Sequence, residues 1–308
     1  MINENSLLLN PDYNRRKFIS TTSKAAAGIA LLSSSLPGFA KDFGQKKNIT
    51  VGEIMDLFIA EVPGAPFAKT VDTLKSGNRD MVVTGIVTTM FATVEVIRKT
   101  IELGANFIIA HEPTFYNHED NTDWLENDEV YRYKADLLKR NNIAVWRNHD
   151  YIHSHVPDGV FKGVVSKLGW TNYYDAATHV AALPQTNLKD LIQKAKMNLG
   201  ISVVRYIGSM TQPCKKILLM PGAAGGRRQI TAIIKEKPDV VVCGEIQEWE
   251  TAEYVRDARA KGEQLSLVVL GHIASEEPGS EYMVNWLMEK APTVKATHVP
   301  SKNSLSFL

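Results

Sequence analysis

Residues 266–276 read SLVVLGHIASE, an apolar run that ends in a glycine, a histidine and, four residues later, a glutamate. Two other apolar runs are also followed by a histidine and a carboxylate residue. They are NFIIAHEP at 106–113 and IAVWRNHD at 143–150. Unbroken runs of Val, Ile and Leu are typical of strands that are buried on both faces of a sheet. Each segment therefore predicts a buried strand with imidazole or carboxylate side chains at its carboxyl end.

The rest of the chain alternates between similar apolar runs and helical patterns. Strands are predicted at 81–88, 106–111, 143–147, 202–208, 216–220, 239–244 and 266–272. Helices are predicted at 93–103, 129–141, 187–198, 227–236, 248–261 and 279–290, and a further helix begins at the capping box TVGE (50–53). This alternation predicts an α/β fold with two α/β domains, each with a mixed sheet flanked by helices.

A break in pattern suggests where one domain ends and the next begins. Residues 171–186 show no clear period, so we place the boundary there, between domains of residues 48–175 and 176–308. We expect the functional site between these domains, at the carboxyl ends of the strands, where ligands bind in open α/β sheets.

Composition narrows the class of protein. The 308 residues carry a formal net charge of +1, and 44% of them are hydrophobic, as in soluble globular proteins. Without the four basic and two acidic residues of positions 1–40, the chain has 31 basic and 32 acidic residues. This balance argues against a nucleic-acid partner. Cys243, within DVVVCG, is predicted to be buried in the core; whether it pairs with Cys214 stays open.

The N-terminal segment is predicted to be an export signal. Residues 15–18 read RRKF, and a weakly apolar run of about a dozen residues precedes the small residues Gly38 and Ala40. Residues 1–40 therefore resemble a twin-arginine signal, cleaved after Ala40, for an exported protein of the periplasm or another extracytoplasmic space. A Sec signal or an N-terminal anchor is the alternative. The run is too short to span a bilayer, and we expect no membrane span in the mature chain.

The histidines and carboxylates at the strand ends predict a metal site. His111 and Glu112 follow one strand, His153 follows a second, and His272 and Glu276 follow a third. Zn, Fe, Mn and Co accept such mixed nitrogen and oxygen ligands. His149, Asp150 and His155 lie nearby, and the last two could orient a ligand imidazole from outside the site. His118, His179 and His298 are interpreted as ordinary surface or core residues.

Three motifs together resemble the NGG-interacting factor three family, whose members are also named GTP cyclohydrolase 1 type 2 homologues. They are HEP (111–113), CGE (243–245) and GHIASE (271–276), with PGAAGG (221–226) between them. The resemblance spans roughly residues 48–308. It implies α/β subunits that assemble into a homo-oligomer, a hexameric ring, and that hold a two-metal centre.

The family's ligand pattern is altered at two positions in this chain. Two adjacent histidines of the family correspond to His111 and Glu112, and its His-x-x-x-Asp element corresponds to residues 149–153, which end in His153. The GHxxxE element corresponds to His272 and Glu276. One histidine has thus become a carboxylate and one carboxylate a histidine, so that ligand number and charge are unchanged.

Two functions are compatible with these residues. The first is a metal-dependent hydrolase acting on a small molecule, in which Glu276 bridges two ions and Glu245 transfers a proton. Arg205, Arg227 and Arg228 would then face an anionic substrate near the PGAAGG turn. The second is a non-catalytic metal-binding or assembly protein with the same ligands.

Overall fold

The computed structural model describes residues 48–308. Its first helix begins as the sequence predicts. The Thr50 side chain accepts a hydrogen bond from the Glu53 backbone N–H, and the Glu53 carboxylate accepts one from the Thr50 backbone N–H. This reciprocal pair satisfies two N–H groups that an uncapped helix would leave without partners.

The helices are α1 (Val51–Ile59), α2 (Val94–Glu102), α3 (Glu129–Arg140), α4 (Asp150–Ser154), α5 (Gly159–Leu168), α6 (Leu188–Leu199), α7 (Gly226–Glu236), α8 (Glu253–Ala260) and α9 (His272–Lys290). A short 3-10 helix spans Asp123–Leu125, and a π-helical turn spans Glu248–Ala252. The strands are β1 (Leu74–Ser76), β2 (Ile86–Thr89), β3 (Phe107–Ala110), β4 (Ala144–Arg147), β5 (Tyr174–Asp175), β6 (Val180–Asn187), β7 (Arg205–Ile207), β8 (Pro213–Met220), β9 (Val240–Cys243), β10 (Ser266–Val269) and β11 (Ala296–His298).

These strands form two mixed sheets, which confirms the predicted α/β class. The first sheet has the order β1-β4-β3-β2-β11, with β4, β3, β2 and β11 parallel and β1 antiparallel at the edge. The second has the order β5-β6-β8-β9-β10-β7, in which β8, β9 and β10 are parallel. Strands β2, β3, β4, β9 and β10 are buried along their whole length, as unbroken apolar runs require.

Several boundaries differ from those predicted. The segment 171–186, which lacks a clear period, contains β5 and most of β6, paired as an antiparallel hairpin. Helix α5 was not predicted. Helix α9 begins at His272 rather than 279, and Pro278 lies inside it. Glu276 is therefore a helical residue, and the predicted helix start at 279 is wrong.

Helix α9 continues through Pro278 where it packs against α5. A Cβ atom on Gly163 would collide with the Pro278 carbonyl group, so the two backbones come too close for any larger side chain there. This packing stabilises the helix and so offsets the loss of the one backbone hydrogen bond that a proline cannot donate in a helix interior. After α9, strand β11 joins the edge of the first sheet next to β2. This sheet therefore combines strands β1 to β4 with a strand that follows all those of the second sheet in sequence.

Residues 48–308 pack as one compact unit, and the boundary at 175/176 stays a prediction. The predicted signal at 1–40 lies outside the described residues. Within 48–308, none of the helices combines the length and apolar character that crossing a membrane requires. Cys214 and Cys243 are both buried and unpaired, which confirms the core position predicted for Cys243.

Candidate metal centre

The two sheets bring the predicted site residues together at the carboxyl ends of their parallel strands. His111 and Glu112 directly follow β3, and His149 follows β4 after one intervening residue. From the second sheet, Glu245 follows β9, and His272 begins α9 just after β10. Strand order thus explains how residues far apart in sequence come to share one site.

Two carboxylates and one imidazole form the contact between the sheets. The Nε2 atom of His272 lies 3.1 Å from Oε1 of Glu112 and 2.9 Å from Oε2 of Glu276. Oε2 of Glu276 also lies 3.5 Å from Nε2 of His111. Both carboxylates are buried. Glu276 therefore stands between one histidine from each sheet.

Two further histidines, His149 and His153, extend the cluster. Ligand atoms of His111, His149 and His153 lie within 4.8 Å of one another, and so do those of His111, Glu112 and Glu276. The His111 and His149 rings stack with centroids 4.9 Å apart, and the His153 ring meets both edge-on. The sequence interpretation left His149 outside the ligand set, whereas the structure places it in the same cluster as His111 and His153.

The Nδ1 atoms of these histidines contact acceptors outside the cluster. The acceptors are the Asn148 carbonyl for His111 (3.3 Å), Asp150 for His149 (3.0 Å), Asp158 for His153 (2.9 Å) and Glu245 for His272 (2.9 Å). An acceptor on Nδ1 fixes the ring and leaves Nε2 free to bind a metal, as is usual for metal-ligating histidines.

Asp158 was not predicted as part of the site. Its Oδ1 atom caps α5 by accepting hydrogen bonds from the backbone N–H groups of Val160 and Phe161, while Oδ2 contacts His153. The DG dipeptide at 158–159 is a recognisable helix start. The second contact could not be foreseen, because it depends on how α4 meets α5.

Asp72 prepares the segment that carries His149 and His153. Its buried carboxylate accepts hydrogen bonds from the backbone N–H groups of His149, Asp150 and Tyr151, at 2.9, 3.0 and 2.7 Å. These N–H groups open α4 and have no partner within the helix. Helix α4 is only five residues long, so this external capping fixes its position.

Arg147 neutralises part of the carboxylate charge from beneath the site. Its fully buried guanidinium group lies 3.3 Å from Oε2 of Glu112, and its Nε atom donates to the His111 carbonyl. Asp120 lies 3.6 Å away on the other side. Arg147 thus fixes one oxygen of Glu112, while the other faces the histidines.

The electrostatic state of the histidines follows from these neighbours. Burial opposes charge on His272, but hydrogen bonds to Glu112, Glu245 and Glu276 outweigh it and raise its pKa to about 12. For His149, burial and then the neighbouring His111 lower the pKa to about 4. Burial disfavours the charged form of Glu112, yet the His272 contact prevails and lowers its pKa to about 2.

Two glycines of the family motifs allow close packing next to Glu276. Gly222, in PGAAGG, has φ +65°, and a Cβ atom there would collide with the Glu276 carboxylate. Gly244, in CGE, lies against Gly222 and Ser275, whose hydroxyl group accepts a hydrogen bond from the Gly222 N–H. The PGAAGG turn therefore shapes the cluster by close packing.

The cluster opens into a cleft of about 1820 Å³. Its walls include Glu112, His149, His153, His272 and Glu276, together with His118, His179, His298 and Arg228. His111 lies deeper and is almost fully buried. The cleft is large enough for a small-molecule substrate.

Other candidates from the sequence lie elsewhere or act indirectly. Asp150 contacts His149, as proposed for an orienting residue, but His155 points away and stacks on Phe58. Arg205 pairs with Glu248 on the surface, and Arg228 reaches the cleft. His118, His179 and His298 all line the cleft, although no local sequence pattern separates them from ordinary histidines.

The donor set suits a transition metal. Four imidazoles and two carboxylates supply nitrogen and oxygen ligands, and the buried Nε2 of His111 has no hydrogen-bond partner within residues 48–308. Native proteins rarely leave a buried polar atom without a partner. The structure therefore contains candidate metal-ligand groups, as predicted, with His149 as an additional member.

Comparison with known proteins agrees with the resemblance drawn from the motifs. The family model of Duf34/NIF3 (NGG1p interacting factor 3) matches residues 64–304. Two curated relatives bear the name "GTP cyclohydrolase 1 type 2 homolog". The Clostridium perfringens protein is 25% identical over 215 residues, covering 67% of this chain and 78% of its own. The Clostridium acetobutylicum protein is 24% identical over 217 residues, covering 67% and 76%.

Solved structures share the fold. A Bacillus cereus protein described as related to NIF3 superposes with a TM-score of 0.69 and 16% identity, over 85% of this chain and 99% of its own. A hypothetical Staphylococcus aureus protein gives 0.67 and 19%, over 84% and 99%. At these identities the likeness shows the fold alone.

Proposed function

The chain belongs to the Duf34/NIF3 family, and from that premise we propose that it is a metal-dependent hydrolase with a dinuclear centre. The observation that carries the proposal is the cluster of four histidines and two glutamates at the wall of the cleft. Each of these imidazoles has an outer acceptor on Nδ1. Outer acceptors that hold the rings in this way are typical of metal-ligating histidines and are not expected of histidines that lie together by chance.

The number of donors supports two ions. Six side chains, one of them shared, are enough for three or more protein ligands at each of two ions: His111, His149, His153, His272, Glu112 and Glu276. Catalytic zinc sites have three protein ligands and keep a further position for water or substrate. Zn, Fe, Mn and Co all suit this donor set. Glu276, between His111 and His272, is the candidate for the shared carboxylate.

When bound, such ions would supply Lewis acidity toward a substrate oxygen and lower the pKa of a water molecule at the site. The protein's own residues then orient the ligand side chains and offset their charge. Arg147 holds Glu112, and Glu245 holds the His272 ring. Glu245 is also the candidate proton-transfer group, because its carboxylate accepts the His272 Nδ1–H.

The Glu245→Gln variant separates these two roles of Glu245. An amide still accepts the Nδ1–H bond through its oxygen but does not take up a proton at neutral pH. Unchanged metal content with a large loss of turnover would support proton transfer. A matching loss of metal and turnover would support positioning alone.

The proposed hydrolase function is tested with the metal-loaded protein and a panel of hydrolase substrates. GTP belongs in the panel because of the relatives' printed name, although export would place the protein outside the cytosolic nucleotide pool. Turnover that disappears on chelation and returns on metal addition would support the proposal. Metal binding without turnover of any substrate would favour the alternative, a non-catalytic metal-binding or assembly protein.

Export and assembly complete the proposal. We propose a twin-arginine signal at residues 1–40, and replacement of Arg15 and Arg16 by Lys should then leave unprocessed protein in the cytoplasm. We also propose a homo-oligomer, a hexamer by resemblance to the family. Light scattering on the purified mature protein measures its mass directly, and a monomer would contradict this part.

A further inference from the structure

Lys134 is a buried lysine in the wall of the cleft. It lies on α3 and is only 5% exposed. Glu112 and His149 line the same cleft. The Lys134 Nζ atom donates one hydrogen bond, to the Thr114 carbonyl at 2.6 Å, and lies 5.4 Å from the Tyr116 ring centroid. An ammonium group has three N–H donors, so two remain for another partner.

No carboxylate of residues 48–308 lies within 4.0 Å of this ammonium group. The carboxylate that most influences it is Asp120, which already pairs with Lys75 at 3.2 Å and with Arg147 at 3.6 Å. Arg147 also pairs with Glu112. Asp120 is thus shared by two other cations, and the positive charge of Lys134 has no carboxylate partner among the described residues.

An uncompensated buried cation is costly. Buried charges are normally paired, and burial lowers the pKa of Lys134 to about 8. Thr114, next to it on the cleft wall, is fully buried, and its hydroxyl group has no hydrogen-bond partner among the described residues. Two polar groups without full partners, the Lys134 ammonium group and the Thr114 hydroxyl group, therefore belong to contacting residues of the cleft wall.

We propose that Lys134 and Thr114 form a binding subsite for an oxyanion of the substrate, a phosphate or carboxylate group. The unpaired ammonium charge supplies the attraction, and the ammonium and hydroxyl groups supply donors. The subsite rests on the proposed function in one respect: the bound anion would place its substrate beside the histidine and glutamate cluster. It gives the substrate a chemical class, a small molecule with an anionic group.

Phosphate and acetate binding to the mature protein tests the subsite. Calorimetric titration with inorganic phosphate and with acetate is carried out after chelator treatment, so that no metal contributes an anion site. Lys134→Met keeps most of the unbranched side chain and removes the charged group. Lys139→Met, at an exposed position of the same helix, is the matched control. Thr114→Val removes only the hydroxyl group.

The metal-free wild type should bind phosphate, acetate or both. Lys134→Met should weaken that binding by about tenfold to hundredfold, since hydrogen bonds to charged groups are worth that much. Thr114→Val should weaken it severalfold, and Lys139→Met should leave it unchanged. If Lys134→Met fails to fold, Lys134→Arg should keep the binding and Lys134→Gln should lose it.

Preference between phosphate and acetate identifies which anion the subsite takes. Wild-type protein that binds neither anion would overturn the proposal, and so would equal binding by wild type and Lys134→Met. Metal content measured on the same preparations before chelation tests the proposed function separately. Failure of the anion-binding test would therefore leave the proposed metal centre untouched, and the reverse also holds.

Discussion

Two charged clusters receive histidines from the same segment, HDYIHSH (149–155), but they differ in how their charges are balanced. His149 and His153 join the candidate metal centre, whereas His155, two residues on, contacts Glu61 on the opposite side at 3.4 Å. The Glu61 carboxylate also accepts hydrogen bonds from the Lys290 ammonium group at 2.6 Å and the Trp286 indole N–H at 2.8 Å.

The Glu61 cluster is complete without an ion. One carboxylate faces a permanent cation and an indole donor, and the His155 ring stacks on Phe58. In the metal-centre cluster, Glu276 faces only imidazoles, and the buried Nε2 of His111 has no hydrogen-bond partner among the described residues. Proximity of histidines and carboxylates is therefore not sufficient to identify a metal site; the informative feature is a buried ligand atom that the protein itself leaves without a hydrogen bond.

The largest expected difference between the clusters is in metal binding. Glu276→Gln removes the carboxylate that lies between His111 and His272, and should weaken metal binding by more than about 100-fold, beyond the range typical of outer partners. Glu61→Gln removes a carboxylate from the complete cluster and should leave metal content unchanged. Elemental analysis of both variants measures this, and equal metal loss in the two would remove the distinction.

The exchanged residues of the family pattern give the next effect. Glu112→His and His153→Asp each change the charge of the site by one unit, whereas the double variant restores it. The double variant should bind metal better than the two single losses predict, with a coupling of about 0.5–3 kcal/mol. Strictly additive losses in metal titrations would show that Glu112 and His153 do not share a site.

Arg147 makes this second test sharper. Its buried guanidinium group loses a partner when Glu112 becomes histidine, so the restored pattern should lower thermal stability even where it keeps metal. Measuring the melting temperature beside metal affinity separates these two consequences. A double variant as stable as wild type would mean that Asp120 alone suffices for Arg147.

Close packing around Glu276 should have a smaller effect. Gly222→Ala places a methyl group against the Glu276 carboxylate and should weaken metal binding about tenfold, as when an outer partner is lost. Gly225→Ala is the matched control, because Gly225 also has positive φ, +83°, but nothing lies within 4 Å of a Cβ atom there. Both variants carry backbone strain. Only the first should lose metal affinity, and equal losses would assign the effect to the backbone.

The smallest effect concerns the stability of the Glu61 cluster. Hydrogen bonds from Lys290 and Trp286 lower the pKa of Glu61 to about 2. Because its folded pKa is depressed, its stabilisation is present above about pH 4.5 and disappears as the pH falls toward 2. Both partners are about one-third exposed, so Glu61→Gln should cost about 1 kcal/mol or less at pH 7.

Denaturant unfolding at pH 7, 5 and 4 measures this contribution. The deficit of Glu61→Gln relative to wild type should shrink between pH 5 and 4. Glu289→Gln, an exposed neighbour of Lys290, is the control and should show almost no deficit at any pH. A constant Glu61→Gln deficit would indicate lost packing instead of lost charge.

The sequence allowed the strand ends to be predicted because buried parallel strands carry a strong local signal. His111, Glu112, His272 and Glu276 could be placed in one cluster from their positions after apolar runs. Strands β1 and β11 are only three residues long and half-buried, so they lack such a signal. They form because the sheet offers them a neighbour, which no local pattern records.

The partners of the histidine rings could not be predicted for a similar reason. Asp158 contacts His153 because α5 begins beside α4, and Asp72 caps α4 from 77 to 79 residues away. The helix was predicted to start at 279, whereas it begins at His272, because packing against Gly163 lets α9 run through Pro278. Tertiary contact outweighed local propensity in each case.

The metal content of the wild-type protein tests most directly whether the histidine and glutamate cluster is a metal centre. The mature chain, expressed in metal-replete medium and purified without chelator, is measured by elemental analysis. We expect one to two equivalents of a transition metal per chain, most of it lost in the His272→Ala variant. A wild-type protein that is free of metal under these conditions, and that takes up none on titration, would show that the cluster is not a metal centre.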